Sequence, residues 1–175
     1  MSTLRPQDLY EEDFFAWTQL QARELRRFAR TRPNLPLDLA RIAEEIQDLG
    51  KEQRNALRSW ARRIVEHLLL LEHSPAAEPR AHWIGEIVDF RQDLNDRLSR
   101  VLVRDLRRRL PRLYEEAVRG LARKLPAQGD GDVIRRLPKS CPYTLDQVIG
   151  DWWPEDPMRP RQNGPDAGPA RSSGS

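Results

Sequence analysis

The chain has 175 residues, of which 38% are hydrophobic and 33% charged, and its formal net charge is +3. This length suits one domain with its own core, and the charged fraction favours amphipathic helices over a sheet. The single cysteine, Cys141, excludes an internal disulfide and a four-cysteine zinc site, and the longest aliphatic run, Leu68 to Leu71, is too short to span a membrane.

The first predicted helix runs from about Asp8 to Thr31 and ends before Pro33. Acidic residues fill its first turn and arginines its last turn, which suits the helix dipole. Its apolar face follows three- and four-residue steps and consists of Tyr10, Phe14, Trp17, Gln21, Leu25 and Phe28.

The second predicted helix begins after an N-cap at Asp38 and ends at about His73. The period of its apolar stripe continues across Gly50, which favours one long helix with a weak point there over two helices. The stripe consists of Leu39, Ile42, Ile46, Leu49, Gln53, Leu57, Trp60, Ile64, His67 and Leu71.

The third predicted helix runs from about Arg80 to Leu110, and a fourth begins at Pro111, which is favoured at the first helical position. The inward face of the third is Trp83, Ile87, Phe90, Leu94, Leu98, Val101 and Leu102, and that of the fourth is Leu113, Ala117, Leu121 and Leu125.

The remainder of the chain is predicted to be mainly irregular. Residues 128–132 have the composition of a loop. A last short helix begins at Thr144, which forms a capping box with Gln147, and ends near Gly150. Trp152 and Trp153 are expected to fold back onto the bundle. Residues 154–175 contain five prolines and three glycines and are predicted to be a disordered tail.

The predicted fold is therefore all-α. Residues 1–153 form an up-and-down helical bundle of three long helices plus shorter C-terminal helices. No segment alternates with period two, so no sheet is expected. The N-terminus lacks an apolar signal segment, so a cytoplasmic location is expected.

Several segments, in order, resemble a known bacterial family. They are Leu9 to Trp17, Ile42 to Gly50, His67 to Leu69, Trp83 with Arg91, and Cys141 to Gln147. This order and spacing is similar to the family called domain of unknown function twenty-nine, over roughly residues 8 to 153. The resemblance implies an all-helical bundle and implies no activity.

Three polar residues lie on or near predicted buried faces and form a candidate buried polar site: Glu45, His67 and Arg91. Burying them without partners would cost several kcal/mol, so partners are expected. Glu45 and His67 are about 33 Å apart along a straight helix and meet only if that helix breaks. A buried hydrogen-bonded histidine and a Glu–Arg lock between helices are the favoured interpretation.

Metal and cysteine chemistry are weakly indicated. His67 and His73 are about 120° apart around one helix, so they form no paired site. The sequence predicts no cofactor and no metal, although a site of His67, His82 and a carboxylate is an alternative. Glu44, Glu45 and Asp48 are interpreted as a solvated face. Cys141 is expected to pack at one end of the bundle.

The segment from Arg97 to Lys124 has ten basic and three acidic residues, a local charge of +7. Along one side of a helix such arginines suit phosphate contacts. The candidate polyanion-binding residues are Arg97, Arg100, Arg104, Arg107, Arg108 and Arg112.

No catalytic motif is present, which favours a non-enzymatic helical interaction module with a protein partner or a second copy of itself. A polyanion or nucleic-acid binder using Arg97–Lys124 is the first alternative. An enzyme or metal protein with a pocket near His67 is the second.

Overall fold

The computed structural model describes residues 6–31, 35–125 and 131–155. These residues contain no strand, so the all-α prediction is confirmed. None of their helices is both long enough and apolar enough to cross a membrane. The helices are α1 Pro6–Glu12, α2 Phe14–Thr31, α3 Leu39–His73, α4 Arg80–Asn95, α5 Arg100–Lys124, α6 Gly131–Arg136 and α7 Leu145–Ile149.

The first predicted helix is divided in two at Asp13. The Asp13 carboxylate accepts a hydrogen bond of 2.9 Å from the Ala16 backbone N–H, as an N-cap residue does. The backbone bonds of Asp13 N–H to Leu9 and of Trp17 N–H to Asp13 keep the two pieces together. The prediction of one uninterrupted helix was wrong, because a side chain replaces part of the backbone ladder here.

The second predicted helix is confirmed as one continuous element, α3, beginning after the N-cap Asp38. It passes through Gly50 without a break because Gly50 contacts α2 closely. A Cβ added at Gly50 would lie 2.1 Å from Thr18 Oγ1. The glycine is therefore a contact point between two helices and not a weak point.

The predicted boundary between the third and fourth helices was wrong. The chain leaves the helix at Asp96 and re-enters it after Ser99, whose hydroxyl accepts from the Leu102 N–H at 3.4 Å. Pro111 lies inside α5 rather than at a helix start. It is exposed, so the hydrogen bond that it cannot make is lost on the solvent side.

Consecutive long helices run in opposite directions. Arg26 Nη2 donates to Gln47 Oε1 at 2.7 Å, and Gly50, later in α3, contacts Thr18, earlier in α2, so these two helices are antiparallel. Near the other end of α3, Arg80 Nη2 donates to the Leu71 carbonyl at 2.6 Å and begins α4 in the reverse direction. α5 then follows α3 in the same direction, with Arg58 bound to Asp105 at 2.7 and 2.8 Å.

The main core lies between the second half of α3, α4, α5 and the C-terminal helices. Its largest fully buried apolar side chains are Leu57, Ile64, Leu68, Leu69, Leu71, Ile87, Leu94, Leu102 and Leu106. The predicted face of the fourth helix is buried in full, whereas Val101 is 39% exposed. Val101 was therefore wrongly assigned to an inward face.

Before Leu57, α3 packs mainly against α2, and the two form a helical hairpin that extends from the core. The contact is made by small residues, because Thr18, Ala22, Ala43 and Gly50 are its buried members together with Leu39. Much of the predicted apolar stripe lies beside this contact instead of in it. Its more exposed members are Tyr10, Phe28, Ile42 and Leu49, at 46%, 48%, 38% and 50% exposed.

The C-terminal segments close one side of the core. Thr144 forms the predicted capping box with Gln147, and α7 ends at Gly150 as predicted. Trp152 and Trp153 pack on the core, as expected. Gly131 and Asp132, predicted as loop, begin α6, and residues 126–130 lie outside the described residues. Pro154 is buried, and the predicted tail from residue 156 onward also lies outside them.

Candidate functional site

A cleft of about 500 Å³ lies where α3, α4 and the end of α5 meet. α3 is buried all round at this point, because every position from Ile64 to Leu71 is buried. Both polar and apolar groups line the cleft. Its lining is Arg63, Glu66, His67, Leu70, Pro79, His82, Trp83, Glu86, Leu121, Lys124 and Leu125.

His67 is the predicted buried histidine, and it lies in this cleft at 6% exposure. Its Nε2 is 2.9 Å from Glu86 Oε2, and His82 Nε2 is 3.7 Å from the same oxygen. Burial is the main effect that lowers the pKa of His67, and the nearby Glu86 carboxylate opposes it. The neutral ring donates to Glu86 from Nε2, and its buried Nδ1 has no hydrogen-bond partner among the described residues.

Glu66 is a carboxylate at 1% exposure in the same cleft. Arg62 Nη1 lies 2.5 Å from Glu66 Oε1, and Arg63 Nη1 and Lys124 Nζ lie 3.2 and 3.1 Å from Oε2. Gly120 makes room for this group, because a Cβ there would lie 3.0 Å from Glu66 Oε1. One buried carboxylate therefore holds three cations at the end of α5.

The cleft provides charged and proton-accepting groups. Among the described residues, no serine, threonine or cysteine lines it. His67, His82 and Glu86 do converge, as the alternative metal interpretation required. Among residues 6–31, 35–125 and 131–155, however, no group of three or more His, Cys, Asp or Glu is arranged to hold a metal ion. Binding and proton acceptance are what this arrangement can do chemically.

The structure does not bring Glu45, His67 and Arg91 together. Glu45 is on the hairpin, its side chain is 61% exposed, and it pairs with Arg41 at 2.8 Å. The prediction that it lies at a buried face was wrong, because the buried side of α3 in this region is narrow and uses small residues. Glu44 and Asp48 are similarly exposed, at 59% and 57%, so the solvated acidic face is confirmed.

Arg91 is buried and stabilises the turn that follows α7. Its guanidinium donates to the carbonyls of Val148, Gln147 and Trp152 at 3.1, 2.8 and 2.7 Å. It also stacks 4.8 Å from the centre of the Trp153 ring. Burial lowers the pKa of Arg91. Arg91 therefore acts as a structural clamp on α7 and does not pair with Glu45.

All six candidate polyanion-binding arginines are exposed, but their surroundings differ. Arg107 pairs with Asp146 at 3.3 Å, Arg112 pairs with Glu116 at 3.1 Å, and Arg97 stacks 4.9 Å from the Trp60 ring. The other three have no carboxylate within ion-pair distance among the described residues. They recur every four residues on one side of α5 and are named the arginine stripe: Arg100, Arg104 and Arg108.

Cys141 packs at one end of the bundle, as expected. Its thiol is half-buried and donates to the Tyr143 carbonyl at 3.5 Å. Burial raises the pKa of this thiol, which disfavours the reactive thiolate. Its neighbour Tyr143 donates from its hydroxyl to Glu72, and burial together with that hydrogen bond raises the pKa of Tyr143.

Sequence reasoning missed Glu66, Glu86 and Lys124. A signal for Glu66 was present, because it is the single carboxylate in the buried run from Ile64 to Leu71 and follows two arginines by three and four residues. Glu86 follows His82 by four residues on one helix face. Lys124 gave no signal, because its meeting with Glu66 depends on the packing of α5 on α3.

Comparisons with known proteins give a family but no activity. A family model described as "Domain of unknown function DUF29" matches residues 9–153. A crystal structure of an alpha-helical protein of unknown function from Rhodospirillum rubrum is similar, with 29% identity and a TM-score of 0.69. The match covers 81% of this chain and 89% of that one. No curated protein matches the chain.

Proposed function

Because the chain belongs to the family described as domain of unknown function DUF29, which brings no activity with it, we propose a function from the geometry of this chain. The chain is a non-enzymatic helical interaction module of a bacterial cytoplasm, and it binds a second copy of itself through the hairpin. The hairpin face is the apolar side of the hairpin: Tyr10, Phe14, Trp17, Gln21, Leu25 and Phe28 of α1 and α2, and Ile42, Ile46, Leu49 and Gln53 of α3.

The main support for this proposal is that large apolar side chains are exposed on the hairpin. Within the described part of the chain, seven large hydrophobic side chains are exposed. Four belong to the hairpin and its connection, and a fifth, Tyr10, lies on the adjoining α1. Exposed apolar patches on a folded chain commonly mark interaction sites. Tyr10, Phe14 and Trp17 are within 4.8 to 5.7 Å of one another between ring centres, which forms one aromatic cluster on the face.

The apolar residues of α2 and α3 lie on the same side of the hairpin. On each helix the apolar residues lie about 90° around the helix axis from the residues buried in the contact, in the same rotational sense. Because the two helices are antiparallel, the apolar residues of both then face the same side of the hairpin. One groove shared by Phe14, Gln53 and Ala56 joins the two halves of the face. No helix of the described ranges covers this face.

The flank of α3 that carries Ile42 and Leu49 is covered further along the helix by α4. That cover ends at Gln53, whose Nε2 donates to the Arg97 carbonyl at 3.4 Å just after α4. Before Gln53 no helix in the described part of the chain covers the same flank. A second hairpin placed there would complete the helix packing that α4 provides elsewhere.

Charge favours a second copy of this chain as the partner. Residues 8–13 contain four acidic residues and no basic one, whereas residues 23–30 contain four arginines and one glutamate. In a two-fold arrangement with α2 antiparallel to its counterpart, the acidic end of one copy lies beside the basic end of the other. The surface is therefore self-complementary, and two hairpins together form a four-helix bundle.

Molar mass measured by light scattering during size-exclusion chromatography tests this proposal. We expect the wild type to have twice the 20.4 kDa mass of one chain. Leu49→Glu places a charge in the centre of the face and should give the mass of one chain. Circular dichroism of each variant reports whether the helices remain intact.

The matched control is Val88→Glu. Val88 and Leu49 are both 50% exposed on helices, but Val88 is on α4 and outside the hairpin face. We expect Val88→Glu to retain the doubled mass. A wild type with single-chain mass at all concentrations, or an equal effect of both variants, would contradict the proposal.

The arginine stripe supports a second candidate function, the binding of single-stranded nucleic acid. The three arginines have no carboxylate partner among the described residues, and their four-residue intervals place charges about 6 Å apart along α5. A row of such charges suits the repeated phosphates of a nucleic-acid strand. Arg100 lies in the first turn of α5, where the helix dipole disfavours a cation. Bound phosphate would relieve that unfavourable arrangement.

Replacing Arg100, Arg104 and Arg108 with glutamine tests this second function. Binding of labelled single-stranded oligonucleotide is measured by anisotropy at several salt concentrations. We expect the triple variant to weaken binding and to reduce the salt slope by about 2. A triple variant of Arg119, Arg123 and Arg135 removes the same charge elsewhere and should have little effect. Equal effects would show that only net charge matters.

A further inference from the structure

The cleft that contains His67 and Glu66 remains unused by self-association, because it lies among α3, α4 and α5 and not on the hairpin face. Its size and its polar lining are unlike those of a packing defect. The two carboxylates that line it already have partners. Glu66 accepts from cations at both oxygens, and Glu86 accepts from His67.

The cleft has one buried acceptor without a partner among the described residues, His67 Nδ1, and its other spare hydrogen-bonding capacity includes cationic donors at the surface. An ammonium group has three N–H donors and a guanidinium has five. Lys124 contacts one carboxylate oxygen in the cleft, and Arg63 contacts the same oxygen, Glu66 Oε2. Their side chains are 50% and 37% exposed, so both groups reach the mouth of the cleft.

Apolar side chains also line the cleft. They are Leu70, Trp83, Leu121 and Leu125, and the three leucines are buried. A ligand that suits both kinds of lining has an anionic head and a short apolar body. Pockets for small organic molecules usually combine an apolar lining with a few placed polar groups in this way.

We propose that this cleft binds a small organic anion, with its carboxylate or phosphate between Lys124 and Arg63 and its apolar portion against Trp83, Leu121 and Leu125. Glu66 positions the two cations by binding both through one oxygen. Gly120 in turn permits this position of Glu66, because any larger residue would crowd its carboxylate. Lys124 and Arg63 are thereby held close together at the mouth of the cleft, where the anionic head of the ligand would bind.

Isothermal titration calorimetry with two probes, octanoate and octyl phosphate, tests the site on the full chain. At least one of them should bind at one site per chain, and the stronger one identifies the preferred head group. The neutral octanamide should bind at least tenfold more weakly than octanoate or octyl phosphate. Absence of binding by both anions, or equal binding of octanamide, would overturn the proposal.

Variants at Lys124 locate the binding. Lys124→Gln should reduce the affinity tenfold or more, and Lys124→Arg should retain most of it, because the charge remains. The matched control is Lys51→Gln, which removes a lysine of similar exposure that pairs with Asp48 in the first half of α3. Binding unchanged in Lys124→Gln, or weakened equally in Lys51→Gln, would overturn the assignment.

Discussion

His67 shows how a single residue can be located by sequence while its partner remains unknown. Its position in the apolar stripe of α3 predicted burial, and it is 6% exposed. Its partner, Glu86, is 19 residues further along and reaches it only because α4 reverses direction after the Pro75 turn. Helical periodicity gives the direction of a side chain but not which helix lies opposite it.

The lowered pKa of His67 predicts a loss of stability on acidification. The unfolded chain binds a proton at this histidine near pH 6.5, whereas the folded chain binds it only at lower pH. The free energy of unfolding should therefore decrease as the pH falls through 6.5 toward the folded pKa. Urea unfolding of wild type and His67→Gln, from about pH 7.5 to 5.5, measures this contribution.

We expect His67→Gln to lose less stability than the wild type over that range, because glutamine does not titrate. His82→Gln removes an exposed imidazole from the same cleft and serves as the control. The opposite result would be a wild type that becomes more stable on acidification, with this gain absent in His67→Gln. It would mean that folding raises the pKa of His67, and it would contradict the prediction.

Arg91 was correctly predicted to lie near a buried face, but the prediction of its partner was wrong. The sequence suggested a carboxylate, and the structure gives three backbone carbonyls around the end of α7. Backbone acceptors carry no sequence signature, so this clamp could not be predicted from residue types.

Arg91→Leu should destabilise the protein by about 3 kcal/mol, because the carbonyls lose their charged donor inside the core. Arg91→Lys should recover little, since one ammonium lacks the planar fork that reaches several carbonyls. The midpoint of urea unfolding measures both. Full stability of Arg91→Lys would mean that charge alone, and not the fork, holds α7.

The helices themselves were predicted well where their ends are marked by the chain. The start of α3 at Asp38 and both ends of α7, at Thr144 and Gly150, were predicted correctly. Caps are local hydrogen-bonding arrangements, so the sequence near them is enough to locate them. The errors fell at Asp13 and Pro111. At these two residues, whether the helix ends or continues depends on a hydrogen bond that a side chain replaces or that proline cannot make. The periodicity of apolar residues does not reveal whether that bond is exposed to solvent.

The hairpin contact predicts an unusual effect of alanine at Gly50. In an isolated helix, glycine to alanine is favourable by about 1 kcal/mol. Here the added Cβ would lie 2.1 Å from Thr18 Oγ1 and 3.1 Å from Thr18 Cβ. We expect Gly50→Ala to destabilise the chain by about 2 kcal/mol, as overpacking does.

A double-mutant cycle with Thr18→Ala separates the two contributions. Removing the hydroxyl relieves the closest contact, so Gly50→Ala should cost less in the Thr18→Ala background. Thermal unfolding followed by circular dichroism supplies the four stabilities. Strict additivity of the two changes would show that Gly50 and Thr18 are not in contact.

At the scale of the whole molecule, sequence predicted the class of fold and misassigned one of its faces. The aromatic stripe of α2 was interpreted as core because its period is correct for a helix. In the structure a row of small residues takes the buried position and leaves much of this stripe at the surface. A periodic apolar stripe looks the same in sequence whether it packs within one chain or between two chains.

Cross-linking is the most direct test of whether the hairpin face binds the same face of a second copy. In a Cys141→Ser background, Gln21→Cys places one thiol near the middle of the α2 part of the face. A short bismaleimide should then join two chains in high yield. Arg123→Cys, on the exposed side of α5, should remain a single chain. A Gln21→Cys protein that stays unlinked, or that links no more than Arg123→Cys, would contradict the account.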